Sequence, residues 1–311
     1  MEKYEWLPTE CAPRGFPARI VQGILRLEDG TVVTIPARAI VDNDWGSLGS
    51  VHLVGEALKA VPVRLEITWL SLSEDRFYGG GFDLPVAKLR ELFQKKFPGS
   101  DTAAFSKVLV GLAPEGTLAV WVLGARATTE VALFKAPEAS VEWKRVVDNG
   151  EITRREFIDE LLKRSLEPAQ LEALRTNGIP AGRWVGYARR YPWTPVIVSD
   201  LKVRALTISY FNGEKEWINF SAGATLAVQT RAVPRLCRLA YDGKNGQPME
   251  CVLRFDEEEI SKAIGRLAVA QAPDQSVLQL EINAVDEGVR AVVVNKQHVA
   301  ELKKCSASYL R

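Results

Sequence analysis

Apolar and polar positions alternate with a period of two along several short stretches of this chain. Val63, Leu65, Ile67 and Trp69 are separated by Arg64, Glu66 and Thr68, the pattern of a strand with one buried face. Segments 20–27 and 31–35 flank Glu28-Asp29-Gly30, and segments 206–211 and 214–220 flank Asn212-Gly213. Asp-Gly and Asn-Gly pairs supply the positive-φ positions that tight turns require, so both pairs of segments are predicted to be hairpins. Further strands are predicted over 107–112, 117–123, 130–135, 277–283 and 289–294.

Elsewhere the period lengthens to that of a helix. Val86, Leu89, Leu92, Phe93 and Phe97 share one face, with Asp83 as cap, Pro85 in the first turn and Pro98-Gly99 as the stop. The polar segment 73–81 before it, ending in Gly79-Gly80-Gly81, reads as a connection. Thr153 and Glu156 form a capping box ahead of Phe157, Ile158, Leu161 and Leu162. A second helix is predicted from Pro168 to Asn177-Gly178. A third begins near Asp256, with Ile260, Ala263, Ile264 and Leu267 inward and Glu257, Glu258 and Glu259 suiting its positive end. A short polar helix is expected at the C-terminal end.

The landmarks recur. Val61-Pro62 opens an apolar strand ending in Trp69, and Val233-Pro234 opens one ending in Tyr241. Phe82-Asp83 and Phe255-Asp256 each precede a helix, and Pro114-Glu115-Gly116 and Asp286-Glu287-Gly288 each precede an apolar strand, all at a nearly constant separation. Tyr4-Glu5-Trp6 is echoed by Tyr191-Pro192-Trp193. The expectation is an α+β fold of two similar domains, 1–149 and 186–311, each a mainly antiparallel sheet with one packed helix, joined by a helical linker over 150–185. Two such lobes would create a cleft, where partners commonly bind.

Composition narrows the class. With 311 residues, 47% apolar and 25% charged, the chain can fill two cores. Lys plus Arg is 40 and Asp plus Glu 39, a net charge of +1, which argues against a nucleic-acid role. The longest apolar run, 118–125, falls far short of the roughly 20 residues that span a bilayer. The N-terminus lacks the pattern of a signal peptide. That leaves a cytosolic protein, or a mature exported one whose leader has been replaced by the starting methionine.

Candidate chemistry is sparse. The two histidines, His52 and His298, fall at non-equivalent places in the two repeats, and no zinc-ligand spacing occurs. Gly46-Ser47-Leu48-Gly49-Ser50 is not a nucleophile elbow, and Gly79-Gly80-Gly81 lacks the lysine of a phosphate loop. The expectation is a non-enzyme with no cofactor and no metal. Cys237 and Cys251 flank a predicted hairpin, and a loop of about three residues would set them opposite each other. A Cys237–Cys251 disulfide and four buried thiols both remain open.

Recognition surface is better represented. Eight tryptophans are present, several beside turns, and Trp, Tyr and Arg dominate protein interfaces. The partner-binding surface is assigned to Asp44 and Trp45 in the loop 43–49, to Glu74, Asp75, Arg76 and Tyr78 in the segment 73–81, and to Trp143 and Trp217. Trp69 and Trp121, in alternating strands, are assigned to the core.

The run from Leu65 through Trp69 to Glu74-Asp75-Arg76-Phe77-Tyr78, then Phe82-Asp83-Leu84-Pro85, Val110-Gly111-Leu112-Ala113-Pro114-Glu115-Gly116 and Val120-Trp121-Val122, resembles an uncharacterised family of bacterial envelope lipoproteins. Its members often lie beside phospholipase effectors of the type VI secretion system. The resemblance covers most of 4–136 and implies an immunity protein of the periplasm. Such a protein grips the effector and blocks its active-site entrance or lid. It touches the membrane only through a lipid anchor that this sequence does not contain. Three other readings remain: a cytosolic adaptor or chaperone for a secreted effector, an envelope structural lipoprotein, and an enzyme whose site is assembled from distant residues.

Overall fold

The computed structural model describes residues 2–97, 101–147, 152–220, 229–269, 277–283, 288–295 and 299–310. The chain divides into two compact units, Met1–Gly186 and Tyr187–Arg311. The architecture is α+β and dominated by sheet. Among the described residues no helix is long and apolar enough to cross a membrane.

Unit 1 begins with β1 (Tyr4–Glu5), β2 (Leu7–Cys11), β3 (Ala18–Leu27), β4 (Val32–Thr34), β5 (Ile40–Val41) and β6 (Leu58–Lys59). It continues through β7 (Pro62–Ser71), β8 (Arg76–Asp83), α1 (Val86–Gln94), β9 (Lys107–Ala113), β10 (Thr117–Leu123) and β11 (Thr128–Lys135). Strands β4, β3, β7 and β8 lie side by side, all antiparallel, with β5 also on β3. β2 runs parallel to β9, which continues antiparallel through β10 to β11. The alternation over 63–69 does produce a half-buried strand, with Leu65, Ile67 and Trp69 inward. Helix α1 buries Leu89, Leu92 and Phe93, and Phe93 stacks on Tyr4 and Trp6.

Two local expectations fail here. Most of the segment 73–81 is not a loop: after the turn at 73–75, residues 76–81 lie in β8, which pairs with β7 along its whole length. Glycine is needed at one position inside that strand: a Cβ on Gly79 would lie 2.7 Å from the Ile67 carbonyl oxygen. Asp83 does not cap α1. It ends β8 and pairs with Arg64, while Pro85 takes the cap position.

The middle helices are α2 (Arg154–Ser165), α3 (Pro168–Asn177) and α4 (Arg183–Tyr187). Thr153 and Glu156 form the predicted capping box, and Gly178 ends α3 at φ 65°. The second unit starts at Tyr187, next to the expected 186, but the helices over 150–185 belong to unit 1 and are not a separate linker, because Ile158 and Leu161 of α2 join Leu70, Leu72, Phe77 and Val146 in a satellite core of unit 1.

Unit 2 holds β12 (Tyr191–Ser199), β13 (Val203–Tyr210), β14 (Lys215–Asn219), β15 (Gln229–Arg231), β16 (Pro234–Asp242) and β17 (Pro248–Arg254). After these come α5 (Glu257–Val269), β18 (Val277–Ile282), β19 (Val289–Val294), β20 (Val299–Glu301) and β21 (Ser306–Leu310). Strands β14, β13, β16, β17 and β21 are adjacent and antiparallel. β12 runs parallel to β18, which continues antiparallel through β19 to β20. Asp256 accepts the N–H of Glu259 at 2.9 Å to cap α5, and Ile260, Ala263 and Ile264 turn into the core. The C-terminal end is strand β21 rather than a polar helix. The Glu259 carboxylate accepts the N–H groups of Lys303 and Lys304 just before it. The predicted stop at Pro98-Gly99, the Asp286-Glu287 turn, His298 and the side chain of Leu267 lie outside the described residues.

The Cys237–Cys251 bridge does not form. The β16–β17 turn is longer than such a bridge needs, so Cys237 faces Leu253 and Cys251 faces Leu239. Both are buried free thiols. Burial pushes the Cys251 thiol up to about 11, and Cys237 and Cys11 also rise through burial.

Candidate functional site

Three turns of unit 1 converge on an open hollow of about 780 Å³. The first joins β7 to β8 and contains Glu74 and Asp75, the latter at φ 52°. The second, between β9 and β10, places Glu115 at φ 59° and Gly116 at φ 68°. The third follows β11. There Ala136 donates to the Gly116 carbonyl at 2.8 Å, and Ala139 donates to that of Phe77 at 2.9 Å.

Glu74 is the hub. Its Oε1 accepts the Tyr78 hydroxyl at 2.9 Å and the backbone N–H of Glu115 at 3.0 Å. Its Oε2 is buried with no hydrogen-bond partner among the described residues. Burial and the bond to Glu74 raise the pKa of Tyr78, so the phenol serves as a neutral donor. Arg76, at the start of β8, pairs with Glu138 at 2.5 Å. Glu115 in turn accepts the Gly182 N–H through Oε2 at 2.8 Å. Lys135 and Ile179 complete the parts of the wall that matter for charge and shape.

Of the residues assigned from sequence, Glu74, Arg76 and Tyr78 meet in this hollow. Asp75 lies beside them, but its carboxylate is turned to Arg154, whose guanidinium also accompanies the Phe77 ring at 4.7 Å. Trp45 is not presented to a partner. It is 6% exposed and meets Trp121 edge-on at 4.8 Å. Gly111 makes room for that pair, since a Cβ there would lie 2.4 Å from the Trp121 ring and 2.9 Å from Trp45. The Asp44 carboxylate accepts the Trp45 N–H at 2.9 Å, so both belong to the loop's own structure. Trp143 donates to the Ile152 carbonyl at 3.0 Å and packs on Phe157. Trp217, in unit 2, sits half-buried opposite Thr207 in β14. Sequence reasoning missed Glu115, Lys135, Glu138 and Ile179. The only signal available was the Pro114-Glu115-Gly116 turn, which was read as a repeat landmark.

The lining combines three carboxylates with two cations and one phenol. Fixed by hydrogen bonds, such groups suit the complementary charges of a partner. Among the described residues no group of His, Cys, Asp and Glu is arranged to hold a metal ion. No curated protein and no solved structure matches the chain. A family model described as "Protein of unknown function (DUF2931)" matches residues 1–182, a span that includes every residue lining the hollow. The chain therefore belongs to the DUF2931 family.

Proposed function

We propose that this chain is an immunity protein that binds a phospholipase effector of the type VI secretion system and blocks its active-site entrance, with the hollow of unit 1 in the contact surface. The observation that carries a binding role is the fixing of Glu74 by Tyr78 and by the backbone of Glu115. Charged groups held in place before contact lose little freedom when a partner arrives. The choice of a phospholipase rests on the resemblance of residues 4–136 to envelope lipoproteins encoded beside such effectors, and the same resemblance supports a periplasmic location. Tight neutralisation calls for an interface of roughly 1,600 Å² in total. The test is a lipase assay with any phospholipase effector found encoded beside this chain. Full lipase activity at an equimolar ratio would end the proposal.

We also read the two units as diverged copies of one domain. In each, a strand parallel to the first strand after the helix (β2 with β9, β12 with β18) accompanies a four-strand antiparallel set, β4-β3-β7-β8 or β14-β13-β16-β17. Trp6 donates to the Ala60 carbonyl at 3.2 Å, and Trp193 to that of Ala232 at 3.2 Å. Lys59 donates to the Trp6 carbonyl at 3.1 Å, as Arg231 does to that of Trp193 at 2.8 Å. Each cation also faces the ring of its tryptophan. A crystal structure tracing a different strand order through 187–311 would remove this reading.

One observation favours the cytosolic adaptor instead. Cys11, Cys237, Cys251 and Cys305 are all free thiols, the state a reducing compartment maintains. Detecting the native protein in periplasmic extracts would decide against it.

A further inference from the structure

The charged hollow has a partly apolar neighbour in unit 1. A notch of about 310 Å³ lies against α2 and α3, walled by Leu162, Leu171, Leu174 and Ile179, with Asp159 and Arg175 beside them. Ile179 lines both hollows, and the consecutive residues Ser73 and Glu74 line one each, so the two are adjacent. Helix α3 buries none of its residues fully, which leaves Leu171 and Leu174 half-covered. At the junction, Ser73 Oγ and Glu74 Oε2 are shielded from solvent without a hydrogen-bond partner among the described residues. Buried acceptors in that state are costly unless a donor reaches them.

Resting on the reading of this region as a protein-binding surface, we infer that the notch and the hollow together take a partner segment with a bulky apolar side chain next to a basic one. The apolar side chain covers Leu171 and Leu174, and the cation lies between Glu74 and Glu115. Charge decides the occupant. The hollow carries Glu74, Glu115 and Glu138 against Arg76 and Lys135, and Arg76 is already committed to Glu138. An anionic lipid headgroup would meet the carboxylates, whereas an arginine or lysine complements their charge. Anchors of this kind, seated in pockets, carry most of the energy of an interface.

The probe is the blocked dipeptide acetyl-Phe-Arg-amide, titrated into the full chain while backbone amide shifts are followed by NMR. Saturable shifts at Ser73, Glu74, Glu115 and Leu171 to Ile179 are expected. Acetyl-Phe-Glu-amide and acetyl-Ala-Arg-amide should bind more weakly. Glu74→Gln should weaken acetyl-Phe-Arg-amide about tenfold, the loss expected for one hydrogen bond to a charged group. Leu174→Glu, at a half-covered position whose substitution leaves the buried core intact, should abolish binding. No shifts in this region, or equal binding of the acidic dipeptide, overturns the inference. So does sodium octanoate shifting the same residues as strongly, which would identify a lipid site. A chain that inhibits the neighbouring lipase but takes no dipeptide sinks this inference alone. One that takes the dipeptide here but leaves the lipase active sinks only the choice of partner.

Discussion

The Arg231 guanidinium meets the Glu216 carboxylate through two hydrogen bonds, of 2.9 and 3.2 Å, with the arginine side chain only 5% exposed. Tyr210 donates to the same carboxylate at 2.7 Å, and Arg231 spends its remaining reach on the Trp193 carbonyl. Removing the arginine leaves the Glu216 carboxylate, 31% exposed, without its cation. Arg231→Met is therefore expected to destabilise unit 2 by about 1–3 kcal/mol, less than the loss of a fully buried pair because solvent screens Glu216, measured as a lower urea midpoint. A loss below about 0.5 kcal/mol would mean that solvent replaces the arginine at Glu216.

The same carboxylate sets an acid limit. Burial acts to raise the Glu216 pKa, but the bonds from Arg231 and Tyr210 prevail and hold it below the ordinary 4.5. A depressed carboxylate contributes stability above its unfolded pKa and loses it as pH falls through the folded one. Melting temperature should therefore drop below about pH 4.5 more steeply in the unaltered chain than in Glu216→Gln. Parallel acid limbs would show that other carboxylates dominate.

Glu10 carries the opposite sign. It is 3% exposed, its Oε1 accepts the Ser50 N–H at 2.9 Å, and its Oε2 has no partner among the described residues. Burial outweighs the bonds from Ser50 and the nearby His52, and raises the pKa above 4.5. A raised carboxylate stabilises fully below its unfolded pKa, and that stability is lost as pH rises through the folded value. Glu10→Gln should therefore gain on the unaltered chain between pH 4.5 and neutrality. Thermal melts at the two ends of that range decide it; a gain no larger at neutrality than in acid rejects it.

Local rules made some of this fold legible and distance hid the rest. Thr153 with Glu156, and Asn212-Gly213, signal their structures within a few residues, and both occur where expected. Gly79-Gly80-Gly81 suggests a loop, but what requires glycine at Gly79 is the backbone of β7, which a local pattern cannot report. Trp45 was misassigned for a related reason: the space it fills is left by Gly111, far along the chain. The hollow was half visible. Glu74, Arg76 and Tyr78 lie within five residues at the β7–β8 turn and the start of β8, but Glu115 and Glu138 arrive from other turns and Ile179 from just beyond the end of α3. Charge and turn chemistry marked the first group, and nothing short of the topology joins the second to it.

Gly116 holds two of those turns together. At φ 68°, a Cβ there would lie 2.3 Å from the Ala136 carbonyl oxygen and 2.9 Å from the Tyr78 ring. Gly116→Ala combines an unfavourable backbone conformation with a collision, and should cost about 3 kcal/mol. Chemical denaturation measures the cost, and the Glu115 and Ala136 amides should lose protection from hydrogen exchange. A neutral substitution would mean that the turn can move away from β11, and that the hollow is not rigid.

Arg76 separates stability from binding. Its pair with Glu138 is 56% and 62% exposed, and such pairs are worth about 0–1 kcal/mol. Arg76→Ala should therefore leave the melting temperature nearly unchanged while releasing the Glu138 carboxylate into the hollow. If the site takes a basic side chain, that release tightens acetyl-Phe-Arg-amide, whereas Glu138→Ala weakens it. Both follow from one titration on folded variants of equal stability. Opposite responses tie affinity to the charge of the hollow. Identical responses would mean that the arginine of the probe points elsewhere and that the notch alone holds the dipeptide.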